Sequence, residues 1–129
     1  MLKLDLIITL HHLLGNIIKS MKNKVTNLCK LIKENLSKNK AKEITVINLK
    51  KKTSIADYMI ICTGTSNRHI ISLSNYLSED LKKLDLNMLN IEGKRGGDWI
   101  IVDIGDIIIH LFRSEVREYY NLEKMWTIN

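Results

Sequence analysis

The stretch that most limits the fold is Glu92–Phe112, EGKRGGDWIIVDIGDIIIHLF. Two apolar, β-branched runs, Trp99–Val102 and Ile107–Phe112, flank Asp103-Ile104-Gly105-Asp106. Such runs around a short glycine-containing link predict a β-hairpin. With Ile104 and Gly105 as the turn, Asp103 lies opposite Asp106. One face then carries Ile100, Val102, Ile107, Ile109 and Leu111, all aliphatic, and is the core side. The other carries Trp99, Ile101, Asp103, Asp106, Ile108, His110 and Phe112, which a core does not require. Two features of it cost stability. Facing carboxylates repel by roughly 0.2–1 kcal/mol. An isoleucine at a hairpin tip has little to pack against and excludes turns that need φ > 0 there. Positions that break local rules are candidates for function. The alternative is that another element covers Trp99 and makes it core.

A chain of 129 residues is one domain by size, with enough length to close one core. The net charge of +6 hides an asymmetry. Residues 1–52 hold twelve lysines against Asp5, Glu34 and Glu43, giving +9, so residues 53–129 carry −3. A nucleic-acid surface combines basic and aromatic residues. Here every aromatic lies in the acidic part, which suits a basic protein partner better than a phosphate backbone. No DNA is expected, and the lysine-rich part adds at most weak contact with RNA. Cys29 and Cys62 sit in apolar patterns without metal-ligand spacing, so buried free thiols in a reducing cytoplasm are expected.

Residues 1–20 are apolar but broken by Asp5, His11, His12 and Gly15, with runs short of a membrane span. No membrane association is expected, and the segment reads as an N-terminal extension to a domain spanning 21–129, either an extra helix or an upstream start that is not part of the native product. From Met21 to Ser37, Val25, Leu28, Ile32 and Leu36 mark one stripe of an amphipathic helix. Ile44–Leu49 reads as a first strand, and Tyr58–Cys62 as a central strand buried on both faces. Thr63-Gly64-Thr65-Ser66 leads into a helix with Ile70, Leu73, Leu77, Leu81 and Leu84 on one side. Thr65 or Ser66 caps that helix; anion binding at the same turn is the lesser reading. A short strand follows near Met88–Ile91. Glu92–Asp98, with three glycines, is a mobile connection into the hairpin. Ser114 is placed to cap a helix whose apolar side is Val116, Tyr119 and Tyr120. The order predicts an α/β fold: a single domain with a mixed sheet of about five strands flanked by helices.

Several stretches together resemble the ribosomal silencing factor family, also called Iojap-like. They are Ser54, Ala56-Asp57-Tyr58 and Thr63-Gly64-Thr65-Ser66-Asn67-Arg68-His69, then Glu92-Gly93, Asp98–Asp103, Gly105-Asp106 and Ile109-His110. Arg117, Tyr120, Leu122-Glu123 and Trp126 extend the likeness from about Met21 to the C-terminus. The resemblance implies a nucleotidyltransferase-like topology without that fold's catalytic motif. It also implies binding to a large-subunit ribosomal protein (universal protein fourteen), which blocks joining of the small subunit and represses translation. Trp99 and Ile104 are the positions where it implies partner contact.

The rival reading is a metal-dependent nucleotidyltransferase-like enzyme using Asp103, Asp106 and His110. Such an enzyme pairs its Gly-Ser turn with an acidic doublet soon afterwards, but Asn75-Tyr76-Leu77-Ser78 stands there. No nucleophile–base pair or P-loop is visible. The binding reading requires no catalytic, metal or cofactor residues. Trp99 and Ile104 are its apolar anchors, and Asp98, Asp103 and Asp106 its acidic frame. His110, Arg68 and His69 are further partner-binding candidates. A monomer or weak homodimer is expected.

Overall fold

The computed structural model describes residues 2–84, 86 and 89–127, with residues 2 and 21–23 described by backbone alone. Helix α1 (Leu2–Lys38) leads into β1 (Lys42–Asn48) and β2 (Tyr58–Gly64). Helix α2 (Asn67–Lys82) precedes β3 (Asn90–Glu92), β4 (Trp99–Asp103) and β5 (Ile107–Arg113). Two short helices, α3 (Ser114–Tyr120) and α4 (Leu122–Thr127), follow. The five strands form one mixed sheet in the order β1-β2-β5-β4-β3. Only β2 and β5 are parallel; the other neighbours run antiparallel. The α/β class and five-strand sheet expected from the sequence are those observed.

Residues 59–64 of β2 are buried without a break, as a central strand flanked on both edges requires. One sheet face meets α1 and α2. Ile32 and Leu36 of α1, with Ile70, Leu73, Leu77 and Leu81 of α2, close over Ile60, Cys62, Ile100, Val102, Ile107, Ile109 and Leu111. On the other face Ile47, Leu49, Met59, Ile61 and Phe112 form a smaller cluster under Val116, Leu122 and Trp126. Both cysteines are buried free thiols, and burial raises their pKa to about 11 for Cys29 and about 12 for Cys62.

The hairpin forms, in a register different from the one expected. Asp103 lies opposite Ile108, not Asp106, and Ile104 N–H donates to the Ile107 carbonyl at 3.1 Å. The turn residues are therefore Gly105 and Asp106. Gly105 takes φ 89°, which a type II′ turn demands of its first central residue. With Ile104 in that place a β-branched side chain would have to adopt that conformation. A two-residue slip preserves strand parity, so the aliphatic face stays inward. The feared repulsion is absent, because Asp103 Oδ1 instead accepts the Gly105 N–H at 2.8 Å.

Ile104 accordingly joins Ile100 and Val102 on the core face and is only 6% exposed. This corrects the expectation of an unburied tip. Ser114 is the first residue of α3 and not its cap; Arg113 occupies the cap position without a side-chain cap bond. The Glu92–Asp98 connection is tethered: Gly97 N–H donates to the Gly93 carbonyl, and Asn67 Nδ2 to the Gly96 carbonyl at 3.1 Å. Gly93 is obligatory, since a Cβ there would sit 2.1 Å from the Trp99 carbonyl oxygen. Met88, assigned to the third strand from the sequence, lies outside the described residues.

Helix α1 begins far upstream of Met21 and runs 37 residues, about 55 Å at 1.5 Å per residue. Residues 3–20 are exposed throughout. Burial of Ile104 sets a stability test. Ile104→Ala should cost about 2 kcal/mol or more, as other isoleucine-to-alanine core truncations do. Urea unfolding of the two proteins checks this; an unchanged midpoint would return Ile104 to the surface.

Candidate partner-binding face

The sheet face away from α1 and α2 is only partly covered. Helix α4 lies over β1, where the Lys52 ammonium donates to the Trp126 carbonyl. Beyond α3 and α4, strands β3, β4 and β5 present their outward residues. Trp99 pairs with Phe112, Ile101 with His110 and Glu92, and Asp103 with Ile108 and Asn90. Directly paired residues share a face, so an apolar strip of Trp99, Ile101 and Ile108 is bordered by Glu92 and Asp103. Tyr120, half exposed, extends the strip from α3, and Tyr119 beside it is 82% exposed. This is the second hairpin face recognised in the sequence, with Asp106 moved off it into the turn.

Trp99 is half-buried and held from three sides. Its ring stacks on Phe112 at 4.9 Å and meets Tyr120 at 4.8 Å. Its indole Nε1–H donates to His110 Nδ1 at 2.9 Å. That bond makes Nδ1 an acceptor, so the imidazole proton resides on Nε2. Burial of His110 disfavours its cation and lowers the pKa from 6.5 to about 4. His110 is therefore neutral at pH 7, and the face keeps its acidic character. Both alternatives for Trp99 are partly realised: it anchors an aromatic cluster and remains open on one side.

The predicted site residues fall at two ends of the sheet. Asp98 lies beside Trp99 and meets Arg113 Nη1 at 3.4 Å. Arg113 also donates to Asn67 Oδ1 at 3.0 Å and Glu115 Oε2 at 2.9 Å. Arg68 is exposed in the first turn of α2, whose cap is Ser66, with Oγ accepting His69 N–H at 3.1 Å. His69 secures that turn: Nδ1 accepts the Thr65 N–H at 2.9 Å, and Nε2 lies 2.9 Å from the Asn39 carbonyl. Asp103, Ile104 and Asp106 lie at the opposite end. There the Asp106 carbonyl accepts N–H groups from Asp57 and Tyr58. Trp99 and Ile104 lie on opposite faces of the sheet, Trp99 at the start of β4 and Ile104 just past its end.

Of the three residues of the enzymatic reading, Asp103 accepts a hydrogen bond within the turn, His110 accepts one from the indole, and Asp106 is exposed in the turn. Among the described residues no three His, Cys, Asp or Glu side chains could hold a metal ion. A polar cleft of about 590 Å³ does open at Gly64–Asn67, beside Lys42, Arg113 and Glu115. Its one guanidinium is committed to Asp98, Asn67 and Glu115. No helix among the described residues is long and apolar enough to cross a membrane.

Arg117 is the residue whose structural weight the pattern did not disclose. It is 8% exposed and bonds Glu123, Thr63, Thr45 and the Glu43 carbonyl. An arginine in a short polar helix carries no sequence signal of burial; only its place in the family-like motif singled it out.

The family described as ribosomal silencing factor during starvation matches residues 22–129. A Zymomonas mobilis ribosomal silencing factor is 46% identical over 99 residues, covering 77% of this chain and 74% of its own. A mouse protein named for mitochondrial assembly of the ribosomal large subunit is 40% identical, over 72% of this chain and 42% of its own. A crystal structure of a Chromobacterium violaceum protein superposes with a TM-score of 0.77 at 35% identity, covering 81% of this chain and 87% of that one.

The His110 environment predicts a pH dependence. The unfolded histidine titrates near 6.5 and the folded one at about 4, so the unfolded state binds more protons between those values. Stability is full above pH 6.5, falls as pH drops, and this loss is complete near pH 4, at about 3 kcal/mol. His110→Gln should flatten that part of the profile in urea unfolding across pH 4–7. An equal slope in both proteins would show that His110 does not carry it.

Proposed function

The chain belongs to the ribosomal silencing factor family, and from that premise we propose that it binds the large ribosomal subunit and sterically prevents the small subunit from joining. The contact we propose is with universal protein fourteen of the large subunit, made by the open face around Trp99. The observation that carries this reading is the half-open aromatic cluster of Trp99, Phe112 and Tyr120 beside Ile101 and Ile108, edged by Glu92 and Asp103. Large rigid aromatics at the centre of a patch are the side chains that dominate interface energetics. An acidic border complements a basic ribosomal protein and speeds encounter more than it adds affinity. Mouse kinship to a protein named for large-subunit assembly supports the choice of subunit.

The mechanism needs no chemistry. The bound domain occupies surface required for an intersubunit contact, so the protein acts in the cytoplasm as a stoichiometric repressor without catalytic residues, metal or cofactor. Asp98 and Arg68 flank the Trp99 end and contribute charge there. His110 and His69 act through the residues they hold, Trp99 and the Thr65 turn. Ile104 supports the far end of the hairpin from within.

Co-sedimentation with isolated subunits tests the reading. The protein should travel with the large subunit, not the small one, and lower the yield of joined ribosomes. Trp99→Ala should weaken binding roughly thirtyfold, as loss of a central anchor worth ~2 kcal/mol does. Because that variant also strips His110 of its donor, Glu92→Lys on exposed β3 provides a second probe of the same face. Its midpoint of unfolding should stay unchanged while binding slows. Normal binding by both folded variants would place the interface elsewhere.

We further propose that residues 21–129 are the silencing domain. A chain started at Met21 should retain stability and large-subunit binding. A large loss in either would show that residues 1–20 support the domain.

A further inference from the structure

Two clefts flank the Thr65-Ser66 turn at the start of α2, and they differ in charge. The one at the end of β5 holds Glu43 and Glu115 beside Arg113. The other, of about 490 Å³, is lined by Lys40, Lys42 and Arg68 with Thr65, Ser66 and Ser72, and no carboxylate is among the described residues around it. Its cations come from separate elements, so the fold and not a run of lysines brings them together. Lys40 follows α1, Lys42 opens β1, and Arg68 lies in the first turn of α2. The His69 ring fixes their spacing, because its two nitrogens reach the Asn39 carbonyl and the Thr65 N–H, each at 2.9 Å.

All three cationic side chains are exposed, and none has an ion pair among the described residues. The neighbouring carboxylates are engaged elsewhere. Asp98 and Glu115 meet Arg113, while Glu43 and Glu123 meet Arg117. Lys40 also carries a local cost. It ends α1 in a Schellman motif, with its N–H on the Ser37 carbonyl at 3.1 Å and the Ala41 N–H on the Leu36 carbonyl at 2.9 Å. At φ 69° it holds the left-handed position that glycine ordinarily fills. A local rule is broken where a cation is placed on the rim of the cleft.

Chemistry narrows the partner. A cleft lined by one sign of charge focuses its field on the opposite charge. Arg68 offers a fork of donors that matches a phosphate, and hydroxyl groups bond phosphate oxygens as well. No aromatic ring lines the cleft for bases to stack on, so the contact is with backbone and independent of sequence. Nor does a large apolar side chain line it that would enter a bilayer. Position narrows the partner further. Arg113 bonds Asn67, beside Arg68, and meets Asp98, beside Trp99. The basic end is therefore continuous with the face proposed to dock a ribosomal protein, and a ribosomal protein lies against RNA.

We infer that this basic end is a second contact surface, for RNA: with the Trp99 face on a protein of the large subunit, Lys40, Lys42 and Arg68 lie on phosphates of the ribosomal RNA beside it. The inference rests on the docking proposed for the Trp99 face. Each cation displaces condensed counterions from the phosphates it meets, which makes this part of the binding depend on salt.

The triple variant Lys40→Gln, Lys42→Gln, Arg68→Gln tests this beside Trp99→Ala. Binding of each is measured to isolated large subunits from roughly 50 to 200 mM KCl at fixed magnesium, and to isolated universal protein fourteen. The triple variant should bind subunits roughly tenfold or more weakly at low salt, with the slope of log K against log salt smaller by about two to three. On isolated protein fourteen it should match the parent chain, whereas Trp99→Ala weakens binding to both. Its thermal midpoint should stay unchanged, since the three side chains are exposed. A salt slope equal to the parent's overturns the RNA contact and leaves the Trp99 reading standing. An equal loss on subunits and on the isolated protein assigns the cations to a protein contact and also overturns it. A weakened triple variant beside an unaffected Trp99→Ala keeps the RNA surface and removes the Trp99 anchor. A parent chain that binds no large subunit ends both readings.

Discussion

The parallel pairing of β2 with β5 is the constraint on which the rest depends. It sets two apolar strands side by side at the centre, buried on both faces, so both faces of the sheet need cover. The connection between them accommodates α2, β3 and β4, and β4 returns antiparallel beside β5. Helices α1 and α2 are long enough to close one face completely. Helices α3 and α4, of seven and six residues, close only the side over β1, β2 and the end of β5. The uncovered strip across β3, β4 and the outer side of β5 is the direct result. An open face arises here because the second layer stops short.

What occupies that strip is fixed before any partner arrives. The Trp99–His110 hydrogen bond satisfies a buried ring nitrogen and locks the indole against Phe112 and Tyr120. An aromatic anchor already held in position loses little conformational freedom on binding, which leaves more of its contact energy as affinity. Burial keeps His110 uncharged near neutrality. No histidine cation then offsets Glu92 and Asp103, and the face stays complementary to a basic surface.

Much of this was legible in the residues because strand parity survives errors in register. The inward set of Ile100, Val102, Ile107, Ile109 and Leu111 came out right although the turn was misplaced by one residue. A shift of two in pairing changes partners without exchanging faces. What parity cannot resolve is which residue takes the positive φ, and that decided the fate of Ile104. Assigning Gly105 to the first turn position would have placed Ile104 in the core from the outset. Residues 2–20 are the extra helix that is one of the two readings of the segment, continuous with the stripe from Met21: His11, His12 and Gly15 interrupt hydropathy, but backbone hydrogen bonding along a helix does not require an apolar neighbour at every turn. The tether of Asn67 to the Gly96 carbonyl joins residues 29 apart, and nothing in the glycine-rich local sequence encodes it.

Arg117 shows where the boundary of the open face is set. Its guanidinium lies beneath α3, donating Nε to Glu123 at 2.6 Å and Nη1 to Thr63 Oγ1 at 2.8 Å. Nη1 also meets the Glu43 carbonyl at 2.7 Å, and Nη2 reaches Thr45. Glu43 itself adopts φ 50° at the irregularity where β1 breaks its pairing with β2 between Lys42 and Thr45. A left-handed non-glycine residue costs free energy, and a bulge commonly serves to re-aim a backbone group. Here the group is a carbonyl turned toward a buried cation. Arg117 thereby ties α3, the start of α4, β1 and the end of β2 at one point. A buried charge with all its partners present is held far more tightly than any one contact implies, since losing a single partner strands the rest. The clamp fixes how far the C-terminal helices reach across the sheet, and so fixes which part of Trp99 they leave uncovered.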